Sequence, residues 1–148
     1  MSGGSGTGKS VALRSAASLT EDPWVEVPLN IDEDRLFGAL DMEEAVRSGK
    51  RRLSPGLLEE ARGGILYLDD VNLLRGDLTA AVTDIAEAGS YCLEREGISD
   101  RRSVSYTVMG VMNPEEGALP PALLDGFGLF ARRILRRMSQ NGRILYAV

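Results

Sequence analysis

The sequence has no histidine and a single cysteine, Cys92, among its 148 residues. One cysteine excludes an intramolecular disulfide, and without histidine or a spaced cysteine pair the common zinc-site patterns are excluded as well. A reducing, cytoplasmic setting is the expectation. No apolar run approaches the length of a signal-peptide core or a membrane span, so neither a targeting segment nor a membrane partner is expected. Positive charge is also in deficit, with Lys and Arg totalling 17 against 22 Asp and Glu, a formal net charge of −5. That balance argues against a general nucleic-acid binder and leaves only a local basic patch near the C-terminus, which taken alone reads as a solvated helix face.

What is present is enough for one folded domain, since an apolar content of 43% in a chain of this length supports a hydrophobic core. Its most specific feature lies at the start. Gly3-Gly4-Ser5-Gly6-Thr7-Gly8-Lys9-Ser10 fits the phosphate-binding pattern G-x-x-x-x-G-K-[ST], with only Met1-Ser2 before it. In that pattern the glycines let backbone N–H groups turn inward around phosphates, the lysine reaches the β/γ oxygens, and the hydroxyl meets Mg²⁺. A Ser/Gly-rich start also mimics a flexible linker. The residues after it, Val11 through Leu19, read as a helix, as a phosphate loop requires. The chain therefore reads as a binder of ATP with Mg²⁺, with Gly3 to Val11 as the binding segment and Ser10 at the metal.

Along the rest of the chain, Trp24-Val25-Glu26-Val27 alternates apolar and polar residues as a short strand ending at Pro28. Asp41 is placed to cap a helix at Met42 to Arg47, and Ser54-Pro55-Gly56 introduces another at Leu57 to Arg62. Gly63-Gly64 precedes Ile65-Leu66-Tyr67-Leu68, a continuous apolar run of strand length that ends in Asp69 and Asp70. Gly76 to Ala88 has helical periodicity. Tyr91 to Glu94 and Val104 to Thr107 flank a turn region at Gly97 to Asp100, which suggests a hairpin. Tyr106 to Met112 reads as a buried strand delivering Asn113. Alternating helices and strands point to an α/β fold with a parallel sheet flanked by helices.

Two acids at the end of an apolar strand suit Mg²⁺-ATP chemistry, Asp69 helping to hold the metal and Asp70 orienting the attacking water. Paired acids also occur as helix caps. Asn113 is able to hydrogen-bond a γ-phosphate or the attacking water without adding charge, and it also suits a turn before Pro114.

At this point several blocks carry a resemblance. The phosphate loop, Val27-Pro28-Leu29, Glu33 to Asp41, Pro55-Gly56-Leu57-Leu58, Gly64 to Leu74, Glu94 to Ser99, Asn113-Pro114-Glu115-Glu116-Gly117 and Leu123 to Leu129 together resemble the ATPase subunit of magnesium chelatase. The resemblance implies an AAA+ P-loop NTPase core that binds Mg²⁺-ATP between subunits of a ring. It implies a motor, either a homo-oligomeric ring or a hetero-oligomer with chelatase adaptor and catalytic subunits, driving metal insertion into a tetrapyrrole. Related modules serve cobalt insertion or pair with von Willebrand A-type adaptor domains. Carried over by residue, Lys9 and Ser10 bind phosphate and metal, Asp69 is the Walker B acid, Asn113 is sensor 1, and the hairpin around Glu94 to Tyr106 is an insertion facing the ring pore or a partner.

The chain departs from the family pattern at identifiable places. Asp70 stands where the family has Glu, one carbon–carbon bond of ~1.5 Å shorter, and a water-orienting group misplaced by about 1 Å can cost roughly a hundredfold in rate. Gly126 stands where the family has the arginine of Asp-Arg-Phe-Gly, and loss of such a trans-acting arginine can remove about 10³ to 10⁵ in rate. Arg132, Arg133, Arg136 and Arg137 follow as substitutes at a different spacing. The family's first strand and helical lid are expected to be missing. The resulting division is a nucleotide-binding core over residues 1–129 and a divergent segment over 130–148, in which Arg143 to Val148 is strand-like and a candidate to fill the vacant sheet position. Three alternatives follow: a hydrolysis-deficient nucleotide-binding or interaction subunit, a truncated remnant, or an AAA+ partner of a von Willebrand A-type adaptor.

Overall fold

The computed structural model describes residues 1–131. Its centre is a parallel three-stranded sheet in the order β1 (Trp24–Val27), β2 (Ile65–Leu68), β5 (Thr107–Gly110). Trp24 pairs with Ile65 and Val27 with Leu68, while Ile65 pairs with Thr107 and Leu68 with Gly110, so the three strands end level with one another. Parallel neighbours need long crossovers, and helices supply them, as the alternation in the sequence predicts.

The strand β2 is buried along its whole length, which is why it reads as an unbroken apolar run. Its two faces have different neighbours. Leu66 and Leu68 join Leu36, Leu57, Leu58, Leu78 and Val82 in the main core, under α2 (Glu33–Phe37), α4 (Leu57–Glu60) and α5 (Gly76–Ala88). On the other face Tyr67 stacks on Trp24, with ring centroids 4.8 Å apart, and Arg14 of α1 (Lys9–Ala17) lies over the Tyr67 ring at 5.9 Å. Arg14 also reaches Glu26 at 2.9 Å, tying the first helix to β1. Where the chain enters β2, Gly64 is required by space, because a Cβ there would collide with the Pro23 carbonyl.

Several sequence expectations hold to the residue. The strands Trp24–Val27 and Ile65–Leu68 and the helix Gly76–Ala88 have the bounds read from the sequence. Asp41 caps α3 (Met42–Ser48), its carboxylate accepting from the Glu44 N–H at 2.9 Å. Others shift. The helix expected through Arg62 ends at Glu60, and the strand expected over Tyr106 to Met112 is hydrogen-bonded as a ladder only over Thr107–Gly110. The hairpin pairs β3 (Ser90–Arg95) with β4 (Ile98–Ser103) around Glu96-Gly97, so its second arm begins earlier than the expected Val104. Hairpin register follows the tight turn: Glu96 and Gly97 both take positive φ, 50° and 78°. Two short helices, α2 and α6 (Pro121–Asp125), have too few residues for a periodic signal.

The sheet position beside β5 is not vacant where the phosphate loop begins. Ser2 forms a parallel bridge with Met112; the Met1 carbonyl accepts from the Met112 N–H at 3.0 Å, and the Ser2 N–H donates across to the Ala131 carbonyl at 2.8 Å. The residues preceding the loop thus lie between the end of β5 and the segment at Ala131, as a stub of strand. The expectation that this slot is filled by Arg143 to Val148 concerns residues outside those described, as do Arg132, Arg133, Arg136 and Arg137 and most of the 130–148 segment.

Candidate functional site

The phosphate loop runs from that stub into α1. Gly6 and Gly8 adopt φ of 71° and 72°, a left-handed conformation that residues with a Cβ rarely take, which is why the pattern needs glycine there. Lys9 is buried and folds back beneath the loop, its Nζ donating to the carbonyls of Gly3 at 2.7 Å and Gly4 at 2.9 Å. The Thr7 hydroxyl donates to the Gly4 carbonyl at 2.9 Å, closing the loop from within.

The parallel ends of β2 and β5 bring the remaining predicted residues to the same place. Ser10 Oγ donates to Asp69 Oδ1 at 3.2 Å, and the Tyr67 hydroxyl donates to the same oxygen at 3.1 Å. Asp70 follows with φ of 47°, unusual outside glycine. Burial first, then the nearby carboxylates of Asp69 and Glu116, raise the Asp70 carboxyl above its ordinary value, while Lys9 opposes the shift. Asn113 is buried just beyond β5. A cavity of about 300 Å³ is lined by Ser5 to Val11, Asp69, Asp70, Val111, Asn113 and Glu116. Every site residue predicted from the sequence lines it except Gly3 and Gly4, which contribute through the carbonyls that Lys9 contacts.

Three neighbours were not among the predicted site residues. Glu116 accepts from Asn113 Nδ2 at 2.9 Å, and Asn113 Oδ1 accepts from the Glu115 N–H at 3.2 Å, so both ends of the Asn113 amide are engaged within its own turn. Asn72 supports that turn from the other side, donating through Nδ2 to the carbonyls of Asn113 at 3.2 Å and Gly117 at 3.3 Å. Tyr67 enters the sequence reading only as part of the apolar strand run Ile65 to Leu68. Nothing in strand periodicity shows that its hydroxyl reaches back to Asp69. Gly126 lies elsewhere, exposed at the end of α6 and outside this cavity.

A glycine loop opening a helix, set against parallel strands that end in paired acids and an asparagine, defines a P-loop nucleotide-binding fold. The AAA domain (dynein-related subfamily) matches residues 1–127, and the chain belongs to that family. It is 48% identical over 112 residues to a magnesium-chelatase 38 kDa subunit of Chlorobaculum parvum, covering 76% of this chain and 32% of that protein. It is 46% identical over 134 residues to the uncharacterised protein Rv2850c of Mycobacterium tuberculosis, covering 86% of this chain and 21% of that one. A chain in the complex between subunits BchI and BchD of magnesium chelatase, built on a cryo-EM reconstruction, superposes with a TM-score of 0.75 at 34% identity, covering 96% of this chain and 54% of that one. These likenesses bear out the resemblance to magnesium-chelatase ATPase subunits. The chain spans about a fifth to a third of the length of the two curated relatives named here.

Proposed function

We propose that the chain is the nucleotide-binding core of an ATP-driven motor subunit of magnesium-chelatase type, coupling ATP hydrolysis to metal insertion into a tetrapyrrole. The observation that carries this reading is the meeting of Ser10 and Asp69 at 3.2 Å beside the phosphate loop. A hydroxyl and a carboxylate of this kind, from two distant segments, are the protein groups that a P-loop site would offer to the magnesium ion of a bound nucleotide. Among the described residues no cluster of three or more His, Cys, Asp or Glu side chains stands ready to hold a metal alone. The pair therefore fits an ion completed by phosphate oxygens.

In this reading the backbone N–H groups of Gly4 to Ser10 hold the phosphates, and Lys9 leaves the Gly3 and Gly4 carbonyls to reach the β/γ oxygens. Ser10 and Asp69 would hold Mg²⁺, which would supply charge neutralisation of the phosphates, with Asp69 orienting the Ser10 hydroxyl. Asp70 orients the attacking water, and Asn113 donates to the γ-phosphate or to that water. The partners are further copies in a ring, or adaptor and catalytic chelatase subunits, in the cytoplasm. No nucleic acid is required, and no described helix is long and apolar enough to cross a membrane.

A second reading, nucleotide binding with little hydrolysis, is favoured by Asp70 and by Gly126, which places no side chain where the family pattern has an arginine. The test is Mg²⁺-dependent ATP binding and turnover by the chain beside Lys9→Ala. Binding and turnover that both depend on Lys9 support the motor; binding without turnover supports the second reading; binding indifferent to Lys9 overturns both.

A further inference from the structure

The second polar cavity of the molecule lies on the hairpin and shares no residue with the nucleotide site. It measures about 770 Å³ and is lined by every residue of β4, Ile98 to Ser103, and on the opposite wall by Arg51 to Pro55, with Asp41, Glu44, Glu59 and Arg62 completing it. β4 pairs with β3 on one edge only. Among the described residues no main-chain group pairs with its other edge. An open strand edge facing a groove is a template for another extended chain.

The charges in the groove are unevenly engaged. Each of its acids already has a partner: Asp41 caps the Glu44 N–H, Glu44 pairs with Arg47, and Glu59 and Asp100 both pair with the buried Arg102. Arg102 spans the floor and donates to the carbonyls of Leu53 at 3.3 Å and Ser54 at 3.1 Å, fixing the two walls relative to each other. The exposed arginines differ. Among the described residues, Arg51 reaches only the Glu96 carbonyl at 3.3 Å, Arg62 only the Ser103 carbonyl at 2.7 Å, and Arg52 makes no ion pair with a carboxylate. Arg51, Arg52 and Arg62, together with Arg101 of β4 itself, which donates to Ser90 Oγ at 3.3 Å, are guanidinium groups without a carboxylate partner among the described residues, and they flank an open strand edge in a chain whose net charge is −5. The local field is opposite in sign to that of the molecule.

We propose that this groove binds an extended, acidic segment of a partner protein, which adds as a strand to the free edge of β4 and sets its carboxylates against Arg51, Arg52 and Arg62. Main-chain hydrogen bonds to β4 supply affinity, and the arginines select acidic side chains through forked, charge-assisted hydrogen bonds. The six-residue strand, at about 3.3 Å per residue, offers roughly 20 Å of edge.

The test is fluorescence anisotropy with the labelled peptide EVEVEVEV and the full chain. Binding is expected to weaken with added salt, to fall at least tenfold in a variant carrying Arg51→Glu and Arg52→Glu, and to fall likewise for Arg62→Glu. Nucleotide affinity measured on the same variants checks that they are folded. A peptide N-methylated at alternate residues leaves the protein untouched and is expected to lose at least tenfold, since it cannot complete the ladder. Failure of the acidic peptide to bind, equal binding by KVKVKVKV, or indifference to N-methylation overturns the proposal.

Discussion

Ser10 and Asp69 are separated by 59 positions in the chain and by 3.2 Å in space. If this pair holds the metal of a bound nucleotide, its two members should matter only when Mg²⁺ is present. Ser10→Ala and Asp69→Asn are expected to lower Mg²⁺-ATP affinity tenfold or more, about 1.4 kcal/mol, and to leave metal-free ATP binding within a factor of two. Titrating nucleotide with and without Mg²⁺ separates the cases. Equal losses in both conditions would show that the pair supports the loop rather than the metal.

Asn113 is held by Glu116, whose carboxylate also lines the nucleotide cavity and raises the Asp70 carboxyl. Glu116→Gln keeps an acceptor for Asn113 while removing a negative charge from the wall of the cavity proposed to take the phosphates. ATP affinity is expected to rise about threefold to fivefold, the order of one solvent-screened charge interaction. Calorimetric titration at low and high salt checks this, and an effect that is the same at both salts would mean the charge is not responsible.

Gly126 has φ of −69°, and a Cβ there would sit 3.5 Å from the Leu123 carbonyl and from Thr83 Cβ, ordinary contact distances. Gly126→Arg should therefore fold. If a missing trans-acting arginine limits hydrolysis, this change raises turnover at high protein concentration, where copies meet, and leaves it unchanged at high dilution. Asp70→Glu is expected to raise turnover by about tenfold to a hundredfold at either concentration, because it corrects reach within one chain.

Leu66 is fully buried in the central strand, whereas Leu19 is 85% exposed. Leu66→Ala is expected to destabilise the fold by about 2–5 kcal/mol through lost burial and a residual cavity. Leu19→Ala should stay within about 0.5 kcal/mol. Urea unfolding of the two variants is the comparison, and equal midpoints would refute the assignment of β2 as the core strand.

The Tyr67 hydroxyl is pushed up to about 12 by burial, with the Asp69 carboxylate adding to the shift and Ser10 and Arg14 opposing it; burial also raises Tyr106. A raised phenol favours the folded state while neutral. Its contribution is thus complete below the unfolded value of about 10 and is lost as the pH climbs toward 12. The thermal midpoint should fall between pH 10 and 12, and Tyr67→Phe should flatten part of that fall. A decline of the same size in the variant would assign the transition to other groups.

Much of this was legible in the chain because it is governed by local rules. The phosphate loop is a contiguous pattern in which Gly6 and Gly8 answer a backbone requirement. The run Ile65 to Leu68 is apolar because it is covered on both faces, and Gly76 to Ala88 repeats with helical period. Asp41 announces its helix because a cap acts three residues away. The hairpin's second arm was misplaced because the turn at Glu96-Gly97 sets the register and the flanking polar residues hide the strand.

The sequence by itself determined the glycine loop that fits the phosphate-binding pattern, the strand that ends in Asp69 and Asp70, and the family to which both belong, since each rests on residues adjacent in the chain. Only the tertiary structure decided that Ser10 meets Asp69, that Glu116 engages Asn113, that the Tyr67 hydroxyl reaches the nearby Asp69, and that one edge of β4 faces Arg51, Arg52 and Arg62. Those relations depend on how level the parallel strands end and on which helix covers which face. Packing of distant segments sets both, and no spacing along the chain encodes them.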